Sequence, residues 1–241
     1  MAPFLLLKTG SLEELGRPYM DRHGDTERSF FAATGLDPEE MRVIDVERDE
    51  ALPAMTDPIA GVIVTGSGAM VTEGLPWMKR SGAWLVEAVK AGIPVLGVCF
   101  GHQLMAQALG GAVGENPKGL ESGTLPITID AAGDPLLGPL PHRVMMQVHH
   151  YQTVLTSPPG AQELAHSAQD PHQALRYGPV AWSIQFHPEI TRPMMVDMLD
   201  LLRHQHAAEG YDPTAMMATT QDTPEGPVLM RRFVDIARQA R

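Results

Sequence analysis

Four short apolar runs in the first hundred residues constrain the fold of this chain most strongly. They are Phe4–Lys8, Arg42–Val46, Gly61–Thr65 and Val95–Cys99. Each is bounded by turn-forming residues, which is typical of strands buried on both faces. The stretches Glu27–Thr34 and Trp77–Ala91 lie between them and have the apolar spacing of helices. Strand alternating with helix predicts an α/β fold with a parallel sheet.

The second half of the chain has a different pattern, with short β-prone segments separated by Pro, Gly and Asp. These segments are Leu125–Ile129, Arg143–Val148, Thr153–Thr156, Gln162–Ala168, Ala174–Tyr177 and Ala181–Phe186. We expect antiparallel strands, added to the same sheet or forming a small sheet beside it. A helix is predicted over Thr191–His204, then a polar segment over Glu209–Gly226, and a last amphipathic helix over Val228–Ala240.

The composition excludes several classes of protein. Apolar residues make up 44% of the chain and the net charge is −11, as expected of a folded acidic protein. Nucleic-acid binding is not expected, because Lys and Arg are scattered and outnumbered. The apolar run Ala2–Leu7 is too short for a signal peptide or a membrane span, so we expect a cytoplasmic protein with no membrane contact. The single cysteine, Cys99, excludes an internal disulfide.

Cys99 lies where a predicted strand meets a predicted helix, within Gly97-Val98-Cys99-Phe100-Gly101. This is the cysteine form of the nucleophile elbow, a tight turn whose glycines let neighbouring backbone approach closely. The positive end of the following helix favours the thiolate. A buried core cysteine between two ordinary glycines is the alternative interpretation.

A cysteine nucleophile needs a base, and the base needs a group that orients it. His187 follows the predicted strand Ala181–Phe186, and Glu189 comes two residues later in His187-Pro188-Glu189. Both Cys99 and His187 therefore end strands of the predicted sheet. We predict Cys99 as nucleophile, His187 as general base and Glu189 as its orienting carboxylate.

A third segment, Gly66-Ser67-Gly68, follows the predicted strand Gly61–Thr65 roughly thirty residues before the cysteine. Acyl transfer needs backbone N–H groups aimed at the oxyanion. The N–H of Phe100 follows the nucleophile, and this loop can supply a second donor. A phosphate-binding loop is the weaker alternative, because no Lys-Ser/Thr pair and no G-x-G-x-x-G pattern accompany it.

These motifs resemble those of the class I glutamine amidotransferases. The resemblance rests on Gly97–Gln103 with Leu109-Gly110-Gly111 behind it, and on Gln185–Glu189 about ninety residues later. It implies a flavodoxin-like fold: an open, mostly parallel sheet with helices on both faces and an added antiparallel region. It also implies a Cys-His-Glu triad. We expect a domain of this family over residues 1–205, and over 206–241 a linker and helix packed on the same domain.

The resemblance further implies roles for residues around the triad. The oxyanion donors are the N–H groups of Ser67 and Phe100, and Gln103 holds the amino-acid end of glutamine. We also expect Gly66 and His150 to contact the substrate. Members similar to GMP synthetase have His-x-Asp where this chain has His150-Tyr151-Gln152. Thr65-Gly66-Ser67, followed by Leu75-Pro76-Trp77, is more similar to the stand-alone branch that includes γ-glutamyl peptidases.

Three functions are compatible with this sequence. One is a hydrolase that cleaves the γ-amide of glutamine through a cysteinyl γ-glutamyl thioester and passes ammonia to a synthetase subunit. The second is a γ-glutamyl peptidase that acts on a γ-glutamyl compound without a partner. The third, of another class, is an inactive regulatory or binding module. No cofactor and no metal site are predicted, and a homodimer is left open.

Overall fold

The computed structural model describes residues 2–240 and places eleven strands in an α/β architecture. The strands are β1 Phe4–Lys8, β2 Met41–Asp45, β3 Gly61–Val64, β4 Val95–Val98, β5 Ala112–Glu115, β6 Glu121–Ile129, β7 Arg143–His150, β8 Gln152–Thr156, β9 Gln162–His166, β10 Ala174–Gly178 and β11 Ala181–Ile184. The helices are α1 Arg17–His23, α2 Thr26–Thr34, α3 Pro76–Lys90, α4 Phe100–Ala108, α5 Arg192–Leu201, α6 Arg203–Ala208, α7 Pro213–Thr219 and α8 Glu225–Gln239. Short 3₁₀ helices cover Leu12–Leu15 and Val71–Glu73.

Nine strands form one sheet in the order β2-β1-β3-β4-β11-β10-β9-β6-β7. The first five run parallel, and β10, β9, β6 and β7 continue the sheet in antiparallel fashion. Strands β5 and β8 pair separately. The α/β class with an added antiparallel region is confirmed, and both arrangements expected for the second half occur, one in the large sheet and one beside it.

Alternate residues of the parallel strands point to opposite faces, and each face is covered by helices. On β1, Leu6 joins the core cluster that includes Phe30 of α2 and Phe233 of α8. Its neighbours Leu5 and Leu7 join the other cluster, which includes residues of α3 and α4. Two buried faces explain why these strands are continuously apolar in sequence.

The centre of the sheet brings three loops to one edge. Strand β4 pairs in parallel with β11, with Val98 opposite Ile184, and with β3 on its other side. Because parallel strands end at the same edge, the residues that follow β3, β4 and β11 meet there. This edge carries all three motifs identified in the sequence.

The C-terminal region departs from the expected pattern in its details. The predicted polar segment 209–226 contains α7, and the helix expected over 191–204 is divided into α5 and α6. Helix α8 packs its apolar face into the core of the large sheet through Leu229, Met230 and Phe233. The division at residue 205 stays a prediction. No helix in the described part of the chain is long and apolar enough to cross a membrane.

Candidate active site

Cys99 occupies a strained turn between β4 and α4. Its φ of 52° and ψ of −103° lie outside the regions that residues with a side chain usually adopt. Its N–H donates to the Ile184 carbonyl at 2.8 Å, which ties the turn to β11. Strain of this kind persists only where the surrounding structure enforces it, and it concentrates at functional sites.

The two glycines around Cys99 are required by close backbone contacts. A Cβ on Gly97 would lie 2.6 Å from the Gly101 carbonyl oxygen, and a Cβ on Gly101 would lie 2.6 Å from the carbonyl oxygen of Val64. Gly101 N–H also donates to the Thr65 carbonyl at 3.1 Å. The start of α4 therefore packs directly against the end of β3, as the Gly-x-Cys-x-Gly pattern indicates.

His187 and Glu189 lie beside Cys99. The Nδ1 atom of His187 is 2.6 Å from Oε1 of Glu189, and both side chains are buried. Burial lowers the pKa of His187, but the Glu189 carboxylate and the charge and hydrogen bond of Cys99 outweigh it, so the pKa lies well above its ordinary value. With Nδ1 committed to Glu189, the second ring nitrogen is left for the cysteine sulfur.

The loop after β3 closes the other side of the site. A Cβ on Gly66 would be 3.1 Å from Cε1 of His187 and 3.7 Å from Cβ of Cys99. The loop is fixed by Thr9, whose hydroxyl donates to the carbonyls of Thr65 and Gly66 at 3.0 Å. Neither Ser67 N–H nor Phe100 N–H has a hydrogen-bond partner among residues 2–240, and both residues line the cavity. Two free donors near Cys99 are compatible with an oxyanion hole.

Gln103 and His150 are held together through the carbonyl of Gln152. Gln103 Nε2 donates to that oxygen at 2.7 Å and to Oε1 of Gln185 at 3.0 Å. His150 contacts the same oxygen through Nδ1 at 3.0 Å, and its Nε2 lies 2.9 Å from Glu121. Both ring nitrogens of His150 are therefore engaged within the protein. Both residues line the cavity.

A cavity of about 370 Å³ opens at this edge of the sheet. All eight residues predicted for the site line it: Gly66, Ser67, Cys99, Phe100, Gln103, His150, His187 and Glu189. Its other walls come from the N-terminal segment and from α5, including Tyr19, Met194 and Met198.

Sequence reasoning missed His149, which also lines the cavity. Its carbonyl accepts a long hydrogen bond from the Cys99 thiol at 3.8 Å, and its Nδ1 is 2.9 Å from the Ser122 hydroxyl. Desolvation, together with neighbouring histidines, lowers the pKa of His149 to about 3, so its ring is neutral at pH 7. The sequence signal that could have indicated His149 as a cavity residue is its position after a predicted strand and next to His150.

One group of side chains in the described residues has the composition of a metal site. Glu121, His150 and Asp170 offer ligand atoms within 4.8 Å of one another. Each is already hydrogen-bonded: Glu121 to His150, and Asp170 to the Thr153 hydroxyl at 2.6 Å. We interpret the group as a buried polar network and assign no ion to it.

Comparison with known proteins identifies the family to which this chain is similar. The family model "Glutamine amidotransferase class-I" matches residues 40–199. The GMP synthase (glutamine-hydrolysing) of Aeropyrum pernix is 36% identical over 141 residues, covering 58% of this chain and 25% of that protein. A separate subunit of the GMP synthase of Ignicoccus hospitalis is 41% identical over 99 residues, covering 40% of this chain and 51% of that subunit. This chain thus spans about a quarter and about half of the length of these relatives.

Solved structures show the same fold over nearly the whole chain. A glutamine amidotransferase of Thermotoga maritima superposes with a TM-score of 0.78 at 20% identity, covering 99% of both chains. One from Methylobacillus flagellatus gives 0.70 at 21% identity, covering 100% of this chain and 94% of the other. Together with the family match over most of the chain, these findings show that it belongs to the class I glutamine amidotransferases.

Proposed function

We propose that this protein hydrolyses the γ-amide of glutamine or of a γ-glutamyl compound, with Cys99, His187 and Glu189 as its catalytic triad. The observation that carries the proposal is the strained Cys99 at the end of β4, beside an imidazole whose other side is fixed by a buried carboxylate. A thiol and a base at the carboxyl edge of a parallel sheet are the arrangement that acyl transfer needs.

In the first half of the reaction the Cys99 thiolate attacks the γ-carbonyl carbon and forms a C–S bond. The N–H groups of Ser67 and Phe100 stabilise the resulting oxyanion. As the C–N bond breaks, His187 gives its proton to the departing nitrogen, and a γ-glutamyl thioester remains. The raised pKa of His187 supports this step, because the imidazole must hold a proton when the nitrogen leaves.

In the second half His187 takes a proton from water, and the oxygen attacks the thioester carbonyl. The C–S bond then breaks, glutamate is released and the Cys99 thiolate is restored. Gln103 is proposed to hold the amino-acid end of the substrate, because it lies one helical turn beyond Cys99 and lines the cavity. Gly66 keeps the space between the imidazole and the loop open.

The substitution Cys99→Ser tests the proposal. We expect it to lower the release of glutamate from glutamine or γ-glutamyl amides by a factor on the order of 10⁴ or more. Thermal unfolding should be nearly unchanged, since the side chains have similar size. A glutamine-like diazo ketone should modify Cys99, the single cysteine, in the wild-type protein. Full activity of the Cys99→Ser variant would overturn the proposal, and absence of both turnover and labelling would favour an inactive binding module.

A second proposal concerns the fate of the ammonia. The similarity to proteins named GMP synthase, one of them a separate subunit, supports a partner synthetase that accepts it. A glutaminase rate that is low in the isolated protein and rises when a synthetase subunit is added would support this arrangement. A γ-glutamyl amide hydrolysed at full rate by the isolated protein would support a hydrolase that works alone.

A further inference from the structure

The cavity at the triad is lined by polar and by apolar residues. The polar residues include Cys99, Gln103 and Gln152. The apolar residues include a group that we call the methionine wall, which consists of Tyr19, Ile190, Met194, Met198 and Leu202. These five residues belong to one apolar cluster, which Leu12 and Leu15 join from the N-terminal side of the cavity. Ammonia alone would not need a wall of this kind.

The methionine wall begins beside the group that protonates the leaving nitrogen. Glu189 is followed directly by Ile190 and then by α5, whose face toward the cavity carries Met194 and Met198. The Tyr19 hydroxyl donates to the Met194 carbonyl at 3.5 Å. The substituent on the leaving nitrogen must point to the side of His187, since that imidazole supplies the proton. The wall lines the same cavity as that imidazole, so it is available to contact the leaving group.

The wall is built from adaptable apolar side chains. Met194, Met198 and Leu202 follow one another at intervals of four residues, so they share one face of α5 and its C-terminal end. Methionine is unbranched and polarisable and adjusts to ligands of different shape. Burying apolar groups of a ligand against this face is favourable in proportion to the area removed from water.

Apart from His187, the cavity offers only neutral donors, such as Ser11, Ser29 and Gln205, to a carboxylate on the leaving group. Among the described residues that line it there is no lysine and no arginine. Instead, Glu14 lies at its rim, with its carboxylate so close to Gly68 that a Cβ there would be 2.3 Å from Oε1. Desolvation and the nearby Glu47 raise the pKa of Glu14. Glu14 and Glu189 both line the cavity, so a second carboxylate on the substrate would add to the acidic groups there.

We infer that the substrate is a γ-glutamyl amide of an apolar amine that carries no carboxylate, rather than a γ-glutamyl peptide. The inference rests on the proposed function and specifies its substrate class. The C–N bond breaks as in glutamine hydrolysis, His187 supplies the proton, and the free amine departs along the methionine wall. Water then cleaves the thioester to glutamate.

A series of substrates tests the inference on the wild-type protein. L-Glutamine is compared with the γ-glutamyl amides of methylamine, ethylamine, propylamine and butylamine, and with γ-glutamylnorvaline, which is the butylamide with one added carboxylate. We expect kcat/KM to rise about fourfold for each methylene group until the wall is covered. The norvaline compound should be at least about tenfold poorer than the butylamide, because its carboxylate is desolvated without a cation.

Two pairs of variants locate the effect. Met198→Gln makes the wall polar and should flatten the dependence on chain length, whereas Leu201→Gln, on the same helix but 44% exposed and outside the cavity, should preserve it. Glu14→Gln should reduce the ratio of kcat/KM for the butylamide to kcat/KM for the norvaline compound by about threefold. Glu13→Gln should leave that ratio of kcat/KM values unchanged, since Glu13 does not line the cavity.

The outcomes separate this inference from the proposed function. If glutamine is hydrolysed and the longer amides are no better, the substrate class is wrong while the hydrolase remains. If γ-glutamylnorvaline equals or exceeds the butylamide, a peptide substrate is favoured and the inference is overturned. If no compound of the series, glutamine included, is cleaved, the inference is overturned, and the proposed function is wrong as well if the diazo ketone also fails to modify Cys99.

Discussion

The Nδ1 atom of His187 lies 2.6 Å from Oε1 of Glu189, and only Pro188 separates the two residues in the chain. Proline restricts its own φ angle, which limits the directions in which the chain can place the carboxylate. The second carboxylate oxygen, Oε2, is buried and has no hydrogen-bond partner among the described residues. A buried carboxylate with so few donors depends on the nearby imidazolium for its stabilisation.

Replacing Glu189 by Gln should lower the pKa of His187 toward its ordinary value. The amide keeps the size of the side chain but removes the charge that favours the imidazolium. We expect kcat/KM to fall roughly 10²- to 10⁴-fold, with the pH dependence shifted to lower pH. NMR titration of the His187 ring and the pH profile of kcat/KM measure the effect. Asp130→Asn, which changes the partner of the exposed His166, is the control. It should alter neither the titration of His187 nor the pH profile of kcat/KM.

The same variant predicts a stability change with a defined pH dependence. The pKa of His187 in the folded protein lies above the ordinary value of 6.5. The imidazolium–carboxylate pair therefore stabilises the fold fully below about pH 6.5, and this contribution is lost as the pH rises through the folded-state pKa. In denaturant unfolding, the free energy of unfolding of Glu189→Gln should fall furthest below that of the wild-type protein at pH 6. The difference should be smaller in alkaline solution. A loss of unfolding free energy that grew with pH would contradict a stabilising pair of His187 imidazolium and Glu189 carboxylate.

Alanine at either glycine of the elbow should be strongly destabilising. The added Cβ of Gly97→Ala or Gly101→Ala would meet a backbone carbonyl oxygen at 2.6 Å, and backbone gives way less readily than a flexible side chain. We expect each to cost about 1–3 kcal/mol or more of unfolding free energy. Gly178→Ala, where nothing lies within 4 Å of the new Cβ, is the matched control and should stay within about 0.5 kcal/mol. Equal stabilities of all three variants would refute the close-packing explanation.

The sequence alone predicted the parallel half of the fold well. The runs that became β1, β3 and β4 are apolar, apart from Lys8 at the end of β1, because both faces of these strands are covered, and such runs stand out. The C-terminal part was harder to predict. Helix α7 lies in a segment rich in Pro, Gly and Thr, and its Met216 and Met217 pack against the cluster around α5 rather than show a periodic pattern of their own. Tertiary packing, not local propensity, explains this helix.

The motifs predicted the residues at the carboxyl edge, but not the shape of the cavity around them. Cys99 and His187 end neighbouring parallel strands, and this could be deduced from local patterns. Tyr19 and Glu14 come from an N-terminal segment that crosses over the site, and no local signal indicates such a crossing. From the sequence, Met194 and Met198 are indistinguishable from general core methionines, since spacing does not show which buried face borders a cavity.

Substitutions in the loop after β3 should separate backbone from side-chain roles. Ser67→Ala keeps the N–H that is proposed to bind the oxyanion and removes only the hydroxyl, which accepts from Ala69 N–H at 3.1 Å. We expect kcat to change by no more than about threefold. Gly66→Ala places a methyl group 3.1 Å from the His187 ring and should lower kcat about tenfold or more through misplacement of the base.

The measurement for this pair is steady-state hydrolysis of glutamine or a γ-glutamyl amide, with thermal unfolding alongside. The stability of Gly66→Ala should change little, because a contact of 3.1 Å needs a shift of only a few tenths of an ångström. A large fall in kcat for Ser67→Ala would indicate that the Ser67 hydroxyl, rather than its backbone N–H, binds the oxyanion.

Glu121 is predicted to position the substrate-binding side of the cavity from a distance. It accepts hydrogen bonds from His150, Ser167 and Gln173 and is almost completely buried. His150 in turn contacts the carbonyl that accepts from Gln103. Glu121→Ala leaves the buried His150 and Gln173 side chains and the half-buried Ser167 hydroxyl without this acceptor, which should cost about 3–5 kcal/mol of unfolding free energy.

The functional consequence should appear in KM more than in kcat. The Gln152 carbonyl that accepts from Gln103 loses its contact with a fixed His150, whereas Cys99, His187 and Glu189 keep their contacts with one another, so binding of the amino-acid end weakens before the chemistry does. Glu163→Ala is the control, because Glu163 is exposed and its contacts to Ser157 and His172 lie outside the cavity. A purely structural role for Glu121 would lower stability and leave KM unchanged at temperatures where the variant is folded, and that result would remove Glu121 from the description of the site.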